Sequence, residues 1–244
     1  MKNNETSSQR LAVLIDGDNI KAQFIEPLLK EVSRYGTAYV RRVYGDWTNN
    51  QLSGWKKVLN QFSIQPIQQF AFTAGKNATD SALIIDAMDL LYTSSFDGFC
   101  IVSSDSDFTR LASRIRESGL KAYGFGEKKT PEPFVNACDK FIHLENLIAE
   151  SSDTTAVKTS TKTNKKLIQL LKDAHGAISG DDGWAELGPL GSQLNKLSPS
   201  FDPRNHGYKK LGELIANVNI FEIKRTPHQN NPTVFDIHIR LKNS

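Results

Sequence analysis

The chain has 244 residues, 39% of them hydrophobic and 23% charged, with a formal net charge of +3. That composition supplies a sizeable core and excludes wholesale disorder. A mean hydropathy of −0.41 and apolar runs broken by Asp, as after Ala82–Ile85, exclude a transmembrane helix, so no membrane role is expected.

Residues 1–10 form a polar tail without the apolar stretch of a signal peptide. Leu11–Ile15 (LAVLI) is a continuous apolar run, the pattern of a strand buried on both faces. Ile20, Phe24, Leu28, Leu29 and Val32 then recur at helical spacing, with Gly36 as a stop. A strand over Ala38–Tyr44, a helix over Leu52–Phe62 and a strand over Ile64–Phe70 continue the alternation. Ala82–Leu91 is apolar nearly all round, which predicts a central helix covered on every side. Phe99–Val102 (FCIV) reads as another buried strand, followed by the helical stripe Phe108, Leu111, Ala112 and Ile115. Lys121–Phe125 and Phe141–Leu144 read as the last short strands. Repeated β-α alternation predicts an α/β fold with a parallel sheet between two helical layers. Cys100 and Cys138 stand alone in apolar segments, consistent with reduced structural thiols in a cytoplasmic protein.

The stretch Ser151–Thr163 has eight Ser or Thr in thirteen positions and a single aliphatic β-branched residue, Val157. It cannot bury enough apolar surface to offset its ordering entropy, so residues 148–163 read as a flexible linker. Charge divides at the same place: residues 1–150 balance at 17 − 18 = −1, residues 151–244 at 13 − 9 = +4. Beyond the linker, helices are predicted at Leu167–Leu171, within Gly188–Leu197 and over Lys209–Ala216. Alternating strands at Phe221–Arg225 and Val234–Arg240 flank His228–Pro232 as a hairpin. Three helices closed by a hairpin make a winged-helix α+β arrangement.

In open parallel sheets, ligands bind beyond the carboxyl ends of the strands. Here the first strand runs into Asp16-Gly17-Asp18-Asn19 and FCIV runs into Ser103-Ser104-Asp105-Ser106-Asp107, while Asp80 begins the covered helix. Singly, each of these has a structural explanation: Asp107 as cap of the next helix, Asp80 or Thr79 as cap of its own, Asn19 as cap before Ile20. Together, two buried strands ending in paired acids point to a hard divalent cation, which tolerates converging carboxylates. Asp86 lies about 9 Å along the helix axis from Asp80 and is a weaker candidate, as is Asp18. No Ser/His/Asp triad or metal-type His spacing appears.

The ordered motifs LIDGDN, TDSALIIDAMDLLY, CIVSSDSDF and KAYGFG closely resemble the NYN family of PIN-like nuclease domains, over residues 10–147. The resemblance implies a PIN-like, Rossmannoid sandwich and a Mg²⁺- or Mn²⁺-dependent nuclease acting mostly on RNA. It places metal acids at Asp16, Asp80, Asp105 and Asp107 and a polar catalytic partner at Asn19. One departure is Ser104, where members often have Gly; Ser is small enough for the turn to survive. Residues 164–243, with the run LGSQLNKLSPSFDPRNHGYKKLGELI, resemble the OST-HTH, or LOTUS, domain. That resemblance implies an RNA-binding module, or in some members a protein-docking one. Arg204, His206, Tyr208, Lys209 and Lys210 offer phosphate charges and a stacking face for RNA. The competing reading packs Tyr208 in the core and leaves the lysines as a solvated face.

The expectation is therefore a ribonuclease hydrolysing RNA phosphodiesters endonucleolytically, tethered to an RNA-binding module. A non-catalytic RNA-binding adaptor is the main alternative. A phosphatase with Asp16 as nucleophile is disfavoured, because DGDN lacks the Thr or Val usual in such motifs.

Overall fold

The computed structural model describes residues 8–48, 50–70, 78–93, 95–149, 165–228 and 231–242. Residues 150–163 of the proposed linker, most of the polar tail and the hairpin residues Gln229 and Asn230 lie outside these, whereas Ile148 and Ala149, assigned to the linker from sequence, end the helix Leu144–Ala149. The chain divides into two compact units, residues 1–153 and 154–244. Among the described residues, no helix is long and apolar enough to cross a membrane.

The first unit runs β1 (Arg10–Asp16), α1 (Ile25–Val32), β2 (Thr37–Gly45), α2 (Ser53–Lys56), β3 (Gln65–Gln68) and α3 (Ala78–Thr93). It continues with β4 (Gly98–Val102), α4 (Thr109–Glu117), β5 (Lys121–Gly126), α5 (Glu132–Ala137), β6 (Lys140–His143) and α6 (Leu144–Ala149). The six strands form one sheet in the order β3-β2-β1-β4-β5-β6, every neighbouring pair parallel. The chain winds outward from β1 through β2 to β3, then returns to the other side of β1 with β4. Between β1 and β4 the winding reverses, and that switch point is where such sheets open a crevice.

Alternation along the buried strands divides two cores. Ala12 and Leu14 of β1, with Phe99 and Ile101 of β4, face α3, α4 and α5 through Leu83, Ala87, Leu111, Ile115 and Phe134. Leu11, Val13 and Ile15, with Cys100 and Val102, face α1 and α6 through Ile25, Leu28, Val32, Leu144 and Leu147. Side chains two apart share a face, so Asp16, following Leu14, projects to the α3–α4 side. The helix-covered parallel sheet is the α/β sandwich expected from the alternation.

Several elements differ from expectation. The helix over 52–62 shrinks to Ser53–Lys56 and continues as turns to a left-handed Ser63 (φ 51°). Only Leu52 and Trp55 of that stretch are buried, so little burial favours a regular helix over local turns. α3 is not covered all round: Leu83, Ala87, Leu90 and Leu91 are buried, whereas Ile85 and Tyr92 are each 63% exposed. Helices α5 and α6 had no counterpart in the sequence reading. Pro131-Glu132-Pro133 before Phe134 and Val135 is a helix-start signal for α5. Cys100 and Cys138 are free and buried, and burial raises both thiols.

The second unit comprises α7 (Lys165–Gly176), β7 (Trp184–Glu186), α8 (Leu187–Leu197), a 3₁₀ turn (Pro203–His206), α9 (Leu211–Val218), β8 (Phe221–His228) and β9 (Asn231–Leu241). Its antiparallel sheet has the order β7-β9-β8. Leu171, Leu190, Leu194, Leu214 and Ile239 are fully buried at its centre. The three helices and hairpin match the winged-helix reading, while the three-residue β7 is too short to show a periodicity in sequence.

Candidate metal centre and nucleic-acid interface

Register brings the acids together. In the β1–β4 pair Ile15 lies opposite Val102, so Asp16 ends its strand level with Ser103. The Ser103 hydroxyl donates to Asp16 Oδ2 at 2.8 Å and accepts from the Asp105 N–H at 3.1 Å. One buried hydroxyl thereby joins the two acidic strand ends. The Asn19 N–H donates to Asp16 Oδ1 at 3.2 Å, which tightens the turn after β1. That turn passes close to β2: a Cβ at Gly17 would meet Val43 Cγ2 at 2.8 Å and the Tyr44 carbonyl at 2.9 Å. The DGDN glycine is therefore required by backbone approach.

The four proposed metal acids fall unequally. Asp80, Asp105 and Asp107 each offer a carboxylate oxygen, all within 4.8 Å of one another. Asp16 stands at the back, 3% exposed, in a cleft of about 230 Å³ bounded also by Asp18, Asn19, Thr79, Asp80 and Asp105. The structure reassigns the cap: the Asp105 carboxylate, not Asp107, accepts the N–H of Asp107 at 2.9 Å and starts the 3₁₀ turn before α4. Asn19 caps no helix; its Oδ1 accepts the Ser104 N–H at 3.4 Å. Asp86 is turned away, bound to Arg42 and to the Tyr44 hydroxyl.

Crowding shows in the acidities. Burial, then the Asp80 charge, push the Asp16 carboxyl up to about 7 against the lowering effect of its Ser103 hydrogen bond. Burial, followed by the charges of Asp105, Asp107 and Asp18, pushes Asp80 up to about 6. Like charges in a part-buried site disfavour ionisation unless a cation joins them.

One weaker candidate, Asp18, gains a place at the site, and two hydroxyl roles, those of Ser103 and Ser104, were not read from sequence. Asp18 faces the cleft, where its Oδ2 accepts from the Thr79 hydroxyl at 2.7 Å. Ser103 bridges the strands, and the Ser104 hydroxyl accepts the Glu127 N–H at 2.9 Å, tying the β4 loop to the loop after β5. Nothing in a run of five Ser and Asp residues distinguishes bridging hydroxyls from solvated ones.

The β5 end supports the same loop from below. A Cβ on Gly126 would meet the Ser103 carbonyl at 2.5 Å and Thr130 Oγ1 at 2.6 Å. Gly126→Ala is expected to lower stability by about 2 kcal/mol through overpacking and to weaken divalent-ion binding by displacing Ser103. Thermal melting with and without Mn²⁺ measures both; an unchanged melt with unchanged binding contradicts the contact.

Residues 10–145 match the NYN domain model, more than half of the chain. The chain belongs to the NYN family. NYN is a nuclease-type domain, and its matched span holds every acid of the cleft. Residues 144–233 match the OST-HTH/LOTUS domain, an RNA-binding module. Among solved structures, a protein of unknown function from Vibrio parahaemolyticus is similar at 16% identity, with 58% of this chain and 94% of that one covered and a TM-score of 0.48. An uncharacterized protein from Nitrosomonas europaea shares 32% identity over 38% of this chain and 89% of its own, with a TM-score of 0.31. A protein from Chromobacterium violaceum shares 31% identity over 34% and 87%, with a TM-score of 0.28. No curated protein matches the chain.

In the OST-HTH unit the five residues read as RNA contacts separate. Arg204 folds back onto Asp202, with Nη2 at 2.6 Å and Nε at 3.0 Å from Oδ2, both side chains nearly buried. Tyr208 packs against the core. His206 is half-buried beside Phe201, and burial lowers its proton affinity. Lys209 and Lys210 are exposed just before α9. Asp202 also caps the 3₁₀ turn by accepting the Arg204 N–H at 2.8 Å. Asp202→Ala removes cap and counter-ion together and is expected to cost this unit about 3 kcal/mol. Denaturant melts of the full chain would show its transition shifted and that of the NYN unit unmoved.

Proposed function

We propose that this NYN protein is a divalent-metal-dependent ribonuclease that hydrolyses RNA phosphodiester bonds endonucleolytically, with its OST-HTH unit holding RNA. The observation that carries the reading is the convergence of Asp80, Asp105 and Asp107 within 4.8 Å at the switch point of the sheet. Their donor set is all carboxylate oxygen, which suits Mg²⁺ or Mn²⁺. The raised pKa values of Asp16 and Asp80 mark a site where burial and neighbouring carboxylates disfavour ionisation, a condition that a bound cation relieves. Asp80, Asp105 and Asp107 would hold the ion, with Asp16 facing it from the back of the cleft. Bound there, a divalent ion supplies acidity to water and offsets charge on the reacting phosphate.

The chain's own groups do the positioning. Ser103 and the Asn19 N–H fix both oxygens of Asp16, so that carboxylate has one orientation. The Asn19 Oδ1 is engaged by the Ser104 N–H, which directs the Nδ2 amide as a donor for a phosphate oxygen. Among the described residues the cleft is open to solvent, in keeping with entry of a strand and cleavage inside a chain. In the second unit, Lys209 and Lys210 supply phosphate contacts; Arg204, His206 and Tyr208 act by shaping that surface. The protein works in the cytoplasm, where its two thiols stay reduced.

Cleavage of end-labelled single-stranded RNA and matched DNA, with Mg²⁺, Mn²⁺ or EDTA, tests this reading. Metal-dependent cutting of RNA, absent from purified Asp105→Asn, is expected. Tight RNA binding without any metal-dependent turnover would replace it with the adaptor reading.

A further inference from the structure

Helices α3 and α4 both start at the acid cleft, α3 with Asp80 and α4 just after Asp107. They pack on one another as they run away from it. Along α3, Asp80, Ile84, Met88 and Tyr92 follow at four-residue steps and so lie in a row down one flank. Ile84 and Met88 are partly buried against the core, and Ile85 and Tyr92 beside them are each 63% exposed. Asp86 marks the opposite flank, where it meets Arg42 and Tyr44 of β2. Along α4, Arg110 and Arg114 are exposed and one turn apart. The two rows meet at their far end: the Arg114 guanidinium contacts the Tyr92 hydroxyl and lies 5.8 Å from its ring centroid. Glu117 reaches Arg114 only at 3.5 Å between exposed side chains, a weak pairing that leaves the cation available.

An apolar and aromatic row beside a basic row, leading straight from a phosphodiester-cleaving cleft, has the composition of a single-strand track. We propose that this α3–α4 strip is a subsite for single-stranded RNA extending from the cleft, with phosphates along Arg110 and Arg114 and a base stacked on Tyr92. Tyr92 lies twelve residues from Asp80, about 18 Å along the axis, so the track spans several nucleotides. Its direction and ligand rest on the ribonuclease reading; the surface itself rests on the exposed aromatic and the two arginines. The track explains why a helix whose sequence is apolar nearly all round leaves Ile85 and Tyr92 in solvent.

The test is photo-cross-linking of a 12-nucleotide oligouridine carrying 4-thiouridine to the full-length Asp105→Asn protein, followed by peptide mass mapping. Adducts are expected on the peptide containing Tyr92, reduced severalfold in Tyr92→Ala and in Arg110→Ala/Arg114→Ala. With Asp105 intact, the double arginine variant should raise KM for long RNA severalfold and leave dinucleotide cleavage unchanged. Adducts confined to residues 165–242 overturn the track. So does sedimentation showing that the wild-type chain self-associates and that Tyr92→Ser abolishes it, because the face is then an interface between copies. Wild-type cutting without Tyr92 adducts removes the track and keeps the nuclease. Adducts without any wild-type cutting keep the track and remove the nuclease.

Discussion

Replacing Asp105 with Asn is expected to lower RNA cleavage by about 10³-fold or more, roughly 4 kcal/mol of transition-state stabilisation, without unfolding the protein. The substitution is nearly isosteric. Asn keeps an Oδ1 that can accept the Asp107 N–H, so the cap before α4 survives. What disappears is one of three carboxylates clustered within 4.8 Å. Because Asp105 is the largest charge raising Asp80, its removal should also relax the metal-free site. The variant is therefore expected to melt a few degrees above the wild type at neutral pH in EDTA, on a scale of about 2–4 °C per kcal/mol for a domain of this size. Lost activity with gained metal-free stability is the signature of a site built for a ligand. A variant that cuts at the wild-type rate, or that loses activity by unfolding, contradicts the assignment. Asp105→Ala separates the two roles, since it removes cap and charge together and should forfeit the stability gain.

Much of the fold is legible in sequence because parallel-sheet strands are buried on both faces. LAVLI and FCIV can hardly be anything but central strands, and the acids that follow them must then lie at the carboxyl edge. The order β3-β2-β1-β4-β5-β6 is not legible from periodicity; it follows only when the winding of the chain is known. α3 misleads for a physical reason. Its apolar residues are read as core, yet Ile85 and Tyr92 point outward; hydrophobicity alone cannot tell a covered helix face from a binding face. The site's acids were identifiable by type and position, whereas the hydroxyl of Ser103 depends on register, with Ile15 opposite Val102. In the second unit, Arg204 next to Lys209 and Lys210 looks like one basic patch. The buried carboxylate of Asp202, two residues earlier, decides otherwise.

The metal-free protein is expected to lose stability as pH rises from about 4 to about 7, and divalent metal is expected to restore it chiefly above pH 6. Asp16 binds its proton more tightly folded, at about 7, than unfolded, at 3.8. Below pH 4 the group is protonated in both states and carries no penalty. As pH rises the unfolded chain releases this proton first, which favours unfolding until the folded group also ionises near 7. The full cost of Asp16 is on the order of 4 kcal/mol at 1.36 kcal/mol per unit. Asp80, less buried and raised to about 6, acts in the same direction. Divalent ions bind these carboxylates only when deprotonated, so protons compete with metal. Millimolar Mg²⁺ or Mn²⁺ should therefore raise the melting temperature of the NYN unit little at pH 5 and by several degrees or more at pH 8. Asp16→Asn should flatten the metal-free profile, because its amide can still meet Ser103 and the Asn19 N–H without a buried charge. Calorimetric scans at pH 5, 6, 7 and 8, in EDTA and in metal, give both slopes directly. A metal-free melting temperature that does not fall over this range, or a metal shift of equal size at pH 5 and pH 8, would mean that Asp16 and Asp80 are not the groups that take up the ion.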